Sequence, residues 1–325
     1  MSRVLVTGAS GFVGGALARR LAERGDDVVA LARSDASAAA LADHEVARGD
    51  VLDEDALVAA MRGCTRLYHV AGINTMCPTD PAALFHVNVR GAEIAVRAAA
   101  RAGVERVILT SSAAALGEAH GTVGSEDSAH RGSYLSVYER TKHEGEVAAF
   151  AAARSAGVDL VAVNPSSVQG PGRAGGTGRI LIGYLNGQLR AFVDTTISLV
   201  DIADCTEAHV LAAERGTPGE RYVISGATLS AREALDLVGE NSGVRRRVVS
   251  LPAPVATAAG TLVGGAFRLA GKHPPLCREM VRTLLHGHRY DGSHATRELG
   301  LAYTPVADTF RRTIAWARAE GLVSG

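Results

Sequence analysis

A tyrosine and a lysine stand four residues apart, at Tyr138 and Lys142. On a helix that spacing puts both side chains on one face, so a phenol and an ammonium lie side by side. A phenol with a pKa near 10 is a poor proton donor or acceptor at neutral pH, and a neighbouring cation lowers that value. The pair therefore suits acid–base work on a substrate oxygen. Composition sharpens the reading: Lys142 and Lys272 are the only lysines among 34 basic residues, the rest being arginine. A second group of candidates, Thr110, Ser111 and Ser112, follows the apolar run at 106–109. Hydroxyls at the C-terminal end of a strand lie where open α/β sheets bind ligands.

Such groups need a scaffold, and the start of the chain supplies its pattern. Val4, Leu5 and Val6 read as a strand buried on both faces, followed by Gly8, Gly11 and Gly14 and then a helical run through Leu17 and Leu21. Strand, glycine turn and helix in that order form the context in which this glycine spacing signifies dinucleotide binding. Gly8 permits the tight turn, Gly11 lets the backbone approach a pyrophosphate, and Gly14 lets the helix pack on the sheet. The helix N-terminus then offers N–H groups and a positive dipole end to the phosphates.

The second strand, 28–33, ends at Arg33, the place where a dinucleotide fold meets the adenosine ribose. An acidic residue there would suit the 2′-hydroxyl of NAD. An arginine suits a 2′-phosphate, so NADP is the expected cofactor, with NAD as the alternative. Asp50 either bonds the adenine amino group or only begins a turn. The fourth strand, 66–71, ends in Ala71 and Gly72, small enough for a cofactor to pass close by. His69 reads as a core histidine, and Asn88, within a helix over 81–102, as a partner of neighbouring backbone. A sixth strand, 158–163, leads to Asn164 and to Pro165, which fixes a turn beside the nicotinamide position. A helix is expected over 134–156, a loop over 118–132, and a helix capped by Ser230.

The rhythm predicts a doubly wound parallel Rossmann sheet with a smaller C-terminal substrate-binding lobe. Residues 1–170 form the cofactor domain, a segment near 195–225 returns to it, and 171–325 is mainly the substrate lobe. Acidic and basic residues balance at 34 each and aromatic residues make up only 4%, which argues against a nucleic-acid surface. Cys64, Cys77, Cys205 and Cys277 show no metal-binding spacing, so no metal is expected; they read as free thiols in a reducing, cytoplasmic compartment. The chain starts directly on its first strand, leaving no room for a signal peptide. The charge-free stretch 254–267 is too short to span a bilayer and reads as a buried or pocket-covering helix rather than a membrane element.

Taken together, Thr7-Gly-x-x-Gly-x-x-Gly14, Ser111-Ser112 and Tyr138-x-x-x-Lys142 resemble the extended short-chain dehydrogenase/reductases. Gly49-Asp50, Asn88-Val-Arg-Gly91, Asn164-Pro-Ser166, Leu199-Val-Asp-Ile-Ala-Asp204 and Glu298-Leu-Gly300 before Trp316 carry the likeness nearly end to end. Within that superfamily the chain looks most like the dihydroflavonol-reductase-like branch, including bacterial members described as hopanoid-associated sugar epimerases. The resemblance implies Ser112, Tyr138 and Lys142 as catalytic residues. Ser112 would bond the substrate oxygen, Tyr138 would carry its proton, and Lys142 would lower the phenol's pKa and hold the nicotinamide ribose. It implies cofactor contacts from Gly8, Ser10, Gly11, Phe12, Val13, Gly14, Arg33, Asp50, Val51, Val70, Ala71, Gly72, Thr110, Ser111, Tyr138, Lys142, Pro165, Ser166 and Ser167.

Departures narrow the likeness. Ala113-Ala114 stands where dehydratases carry an acidic pair, and Arg33 and Leu116-Gly117 stand where many sugar-nucleotide epimerases carry an acid and a Tyr-Gly. The flavonoid-pocket residues of plant reductases are not recognisable over 118–134. The expected activity is NADP-dependent reduction of a carbonyl, or oxidation of the matching alcohol, on a small and largely apolar molecule. The alternatives are a nucleotide-sugar epimerase that retains NAD, a 3β-hydroxysteroid dehydrogenase-like enzyme and a non-catalytic NADP sensor. Family members often dimerise through helices equivalent to 81–102 and 134–156, so a homodimer is a candidate assembly.

Overall fold

Short apolar runs without polar alternation build the central sheet of the computed structural model, which describes residues 2–323. In chain order the strands are β1 (Arg3–Thr7), β2 (Asp27–Ala32), β3 (Glu45–Arg48), β4 (Arg66–His69), β5 (Arg106–Thr110), β6 (Asp159–Pro165), β7 (Ser167–Gln169), β8 (Ala191–Val193), β9 (Thr196–Asp201), β10 (Arg221–Ile224), β11 (Ala227–Ser230) and β12 (Val249–Leu251). Seven of them form one parallel sheet in the order β10-β6-β5-β4-β1-β2-β3. Val4, Leu5, Val6, Val107, Ile108, Val161 and Ala162 are wholly buried, as strands covered on both faces must be. Helices Phe12–Glu23 and Ile202–Arg215 cover one face, and Gly91–Ala102 and Val137–Ala156 the other. The chain reverses direction across the sheet between β1 and β4, so their C-terminal ends border the crevice where such sheets bind ligands.

The C-terminal lobe has a three-stranded sheet, β11-β9-β7, and a pair, β12-β8. Its own core gathers Leu181, Tyr184, Leu185, Val238, Phe310 and Ile314 from three helices, Gly178–Leu185, Ala231–Ser242 and Val306–Ala319. Ser230 caps the second of these in a reciprocal box with Glu233.

Three expectations are corrected here. Cys77 and Cys277 form a disulfide across 200 residues of sequence, with Cα atoms 6.0 Å apart, while Cys64 and Cys205 remain free and buried. The fold brings the loop after β4 against the turn before helix Arg278–His286, a proximity that no local spacing encodes. The helix expected over 81–102 is continuous but contains a π-helical turn at His86–Arg90, between Pro81–Phe85 and Gly91–Ala102. Finally, helix Ala253–Leu269 buries only Ala256, Gly260 and Gly264 and turns its larger apolar residues outward.

Candidate active site

The glycine turn is built by contact as well as by conformation. Gly8 adopts φ +70°, and a Cβ there would lie 2.7 Å from the Ala71 backbone nitrogen. A Cβ on Gly14 would lie 2.2 Å from the Gly8 carbonyl oxygen. Both positions therefore exclude a side chain, and together they hold the end of β1 against the end of β4. Thr7 fastens the same junction: its Oγ1 accepts from the backbone N–H of Val70 and of Ala71, each at 3.2 Å. No side chain caps the helix that starts at Phe12, and its first turn carries no acid. Its leading N–H groups and positive end therefore remain free to meet an anion. Such a glycine-lined cradle fits a dinucleotide pyrophosphate.

Beside this cradle stand the hydroxyl and amine candidates. Ser136 caps helix Val137–Ala156 through the Glu139 N–H, which sets the phase that turns Tyr138 and Lys142 to the crevice. Lys142 Nζ donates to the Thr110 carbonyl at 2.8 Å, tying that helix to the end of β5. Burial raises the Tyr138 phenol above the usual tyrosine value, and the Ser112 hydroxyl and the positive charge of Arg173 pull it part of the way back. Arg173 is thus a cation acting on this phenol, while the Lys142 ammonium donates to the Thr110 carbonyl.

Lys142 itself is pushed down to about 8, first by burial, with the Glu146 carboxylate partly offsetting the loss. The sign of the consequence is fixed. Between about pH 8 and the ordinary lysine value, the unfolded chain holds a proton that the folded chain has released, so stability gains with rising pH in that window. Urea unfolding of wild type and Lys142→Met should show their stability difference moving in favour of wild type from pH 8 to pH 10. A flat difference would contradict the burial of the ammonium.

His69, expected as a core residue, is buried against Thr7 (3.1 Å) and driven down to about 3 by burial and by the charge of Lys142, so it stays neutral. Asn88 takes the part read from the sequence. Its Oδ1 accepts from Ile73 N–H at 2.7 Å, and its amide donates to the Ile73 carbonyl and to Thr141 Oγ1, each at 3.0 Å. The π turn brings Asn88 to this junction, a common use of such turns.

Other candidates fall around the crevice in different ways. Arg33 is exposed at the end of β2 and is in no ion pair among the described residues. Asp50 accepts from Leu52 N–H at 3.0 Å and so serves the turn. Val51 packs at the start of helix Gly91–Ala102, where a Cβ on Gly91 would lie 3.3 Å from its Cγ2. Ser111 and Ser166 have buried hydroxyls without partners, and Ser167 bonds Thr177 and Gln169. Ser10 and Gly72 are exposed, Phe12, Val13, Val70 and Ala71 half-buried, and Pro165 buried.

Three features escape a sequence reading. The carboxylate of buried Glu146 accepts from Asn164 Nδ2 at 2.6 Å and pairs with Arg221 at 3.0 Å, while the same Asn164 amide donates to the Ser112 carbonyl at 3.1 Å. This chain of bonds positions Ser112 from behind; its i+4 spacing from Lys142 was a faint signal. Arg173 lies over the Phe12 ring at 5.2 Å, with its Nε unpartnered. Glu118, in the expected loop, is 1% exposed and lies 2.6 Å from His288 Nδ1 and 3.5 Å from His286 Nε2. Tyr290 joins this group through its hydroxyl, 2.9 Å from His288 Nδ1.

Residues 4–225 match the profile of the NAD dependent epimerase/dehydratase family. The chain belongs to that family. Solved structures superpose over its full extent. The crystal structure of gox2253 superposes with a TM-score of 0.87 at 31% identity over 100% of both chains. That of a nucleoside-diphosphate-sugar epimerase from Pseudomonas aeruginosa superposes with a TM-score of 0.80 at 26% identity over 99% of both. Among curated relatives, Sterol demethylase protein B of Methylococcus capsulatus is 33% identical over 98% of this chain and 99% of its own length. A putative dihydroflavonol 4-reductase of Synechocystis is 31% identical over 98% of this chain and 95% of its own. The protein is therefore an NAD(P)-binding enzyme of the oxidoreductase/epimerase type that acts on a CH–OH group of a small molecule.

Proposed function

We propose that the protein is an NADP-dependent oxidoreductase that interconverts a ring alcohol and ketone on an apolar, polycyclic substrate, in the manner of a 3β-hydroxysteroid dehydrogenase. The observation that carries this reading is the anchoring of Lys142 on the Thr110 carbonyl at the end of β5, one helical turn from the Tyr138 phenol on which Ser112 and Arg173 act. Bound NADPH supplies the hydride. Tyr138 donates its phenolic proton to the substrate oxygen, Ser112 holds that oxygen by a hydrogen bond, and Lys142 positions the cofactor side of the site. A phenol raised by burial stays protonated at neutral pH, which suits the reductive direction. The full-length likeness to a protein named for sterol demethylation supports the apolar ring substrate.

Cofactor choice rests on exposed Arg33. NADPH should bind more tightly than NADH, and Arg33→Asp should reverse or remove that preference, with roughly a ten- to hundredfold loss in NADPH affinity. Fluorescence titration with both nucleotides measures it, and equal affinities in wild type would reject the assignment. A second reading, a nucleotide-sugar epimerase that retains its NAD, draws on the likeness to the Pseudomonas protein. NAD that co-purifies and does not exchange, with stabilisation by nucleotide sugars rather than turnover of sterol ketones, would favour it.

A further inference from the structure

We infer that helix Ala253–Leu269 is a docking surface for an anionic bilayer, lying flat in the lipid headgroup region. The helix meets the protein along a narrow seam of small residues. A Cβ on Gly260 would lie 2.8 Å from Val281 Cγ2, and one on Gly264 would lie 3.3 Å from Cys277 Cα. That seam leaves the opposite side free, and it is apolar: Val255 is 52% exposed, Leu262 73% and Leu269 93%. Scattered exposed leucines need no explanation, but several along one helix mark a surface that another apolar phase covers. Among the described residues no helix is long and apolar enough to cross a membrane, so the fitting arrangement is a helix lying in the interface.

Charge identifies the phase. Between Glu240 and Glu279 the chain has no acidic residue for 38 positions, although acids and bases balance over the whole sequence. The same stretch carries Arg245, Arg246 and Arg247 before the helix and Arg268, Lys272 and Arg278 at and beyond its end. All six are exposed, and none is in an ion pair among the described residues. A charge-free apolar face with unneutralised cations at both ends complements anionic lipid, where each cation near the surface strengthens binding about fivefold. A protein partner would need acids around an apolar patch, and a second copy of this basic stretch would repel itself.

The location links the surface to the site. The helix packs on Arg278–His286, whose Glu279 accepts from Val137 N–H at 3.2 Å and whose Arg282 donates to the Leu135 carbonyl at 2.7 Å. Those contacts hold the first turn of the Tyr138 helix. The disulfide to Cys77 ties the same corner to the loop that follows Gly72. A bilayer under helix Ala253–Leu269 therefore adjoins the framework of the crevice. The inference goes beyond the proposed reaction and stands whether or not the substrate is a sterol.

Co-sedimentation of the full chain with phosphatidylcholine vesicles, with and without phosphatidylglycerol, tests it. Binding should require the anionic lipid and weaken as salt rises. Leu262→Glu with Leu269→Glu should reduce partitioning at least tenfold with an unchanged melting temperature, since both side chains are exposed. Arg268→Glu with Lys272→Glu should weaken the dependence on phosphatidylglycerol at least tenfold. Wild type that stays in the supernatant with anionic vesicles, or leucine variants that sediment like wild type, would overturn the inference. So would loss of a dimer in the leucine variants by light scattering, which would assign the face to a second copy.

Discussion

Replacing Tyr138 by phenylalanine is expected to lower turnover by about 10²–10⁴-fold and to leave cofactor affinity nearly unchanged. The exchange keeps the ring and its packing and removes one hydroxyl, the one on which Ser112 and Arg173 act. Lys142 remains anchored on Thr110 and the glycine cradle is untouched, so nothing that would hold a dinucleotide is lost. Direction-dependent kinetics sharpen the test. Because burial raises the phenol, reduction should run well at neutral pH, while oxidation, which needs the phenolate as base, should climb with pH. Single-turnover measurements of both directions in wild type and variant give the answer. Undiminished turnover in the phenylalanine variant would move proton transfer to another group, and Glu118 with His288 would be the first to examine.

The parts of this protein that could be read from the sequence are those encoded locally. The β1 turn is legible because backbone conformation and close approach at Gly8 and Gly14 both demand glycine, within seven residues of chain. The parallel character of the sheet follows from the alternation of apolar runs with helices, since parallel strands need crossovers. Tyr138 and Lys142 are legible because helical periodicity alone brings them together. What was hidden depends on residues far apart in sequence. Arg173 reaches Tyr138 from a loop after β7, and Cys77 meets Cys277 across two lobes. Glu118 joins His286 and His288 from some 170 residues away. The placement of helix Ala253–Leu269 is hidden for a different reason. Its apolar content is plain in the sequence, but a seam of glycine and alanine lets a helix pack with little of its surface, leaving the leucines outside.

Gly145 is the sharpest case of a hidden requirement, and Gly145→Ala is expected to damage the site more than its size suggests. The residue sits in mid-helix, where glycine costs roughly 0.5–1 kcal/mol relative to alanine, so local propensity alone makes the exchange stabilising. The fold reverses that sign. A Cβ at Gly145 would lie 2.2 Å from the Asn88 carbonyl oxygen and 3.1 Å from its carbon, both backbone atoms of the π turn. Neither can rotate away, so helix Val137–Ala156 must shift outward or the π turn must rearrange. Overpacking of this kind costs about 1–3 kcal/mol. The same movement pulls Thr141 from the Asn88 amide and carries Lys142 from the Thr110 carbonyl. A displacement near 1 Å at a catalytic group can cost about 10²-fold in rate, and that is the expected fall in kcat at saturating cofactor and substrate. Folded protein with wild-type kcat would show that the π turn yields without moving the helix. A large fall in kcat with a modest loss of stability would show that Gly145 holds the helix in the register that Tyr138 and Lys142 need.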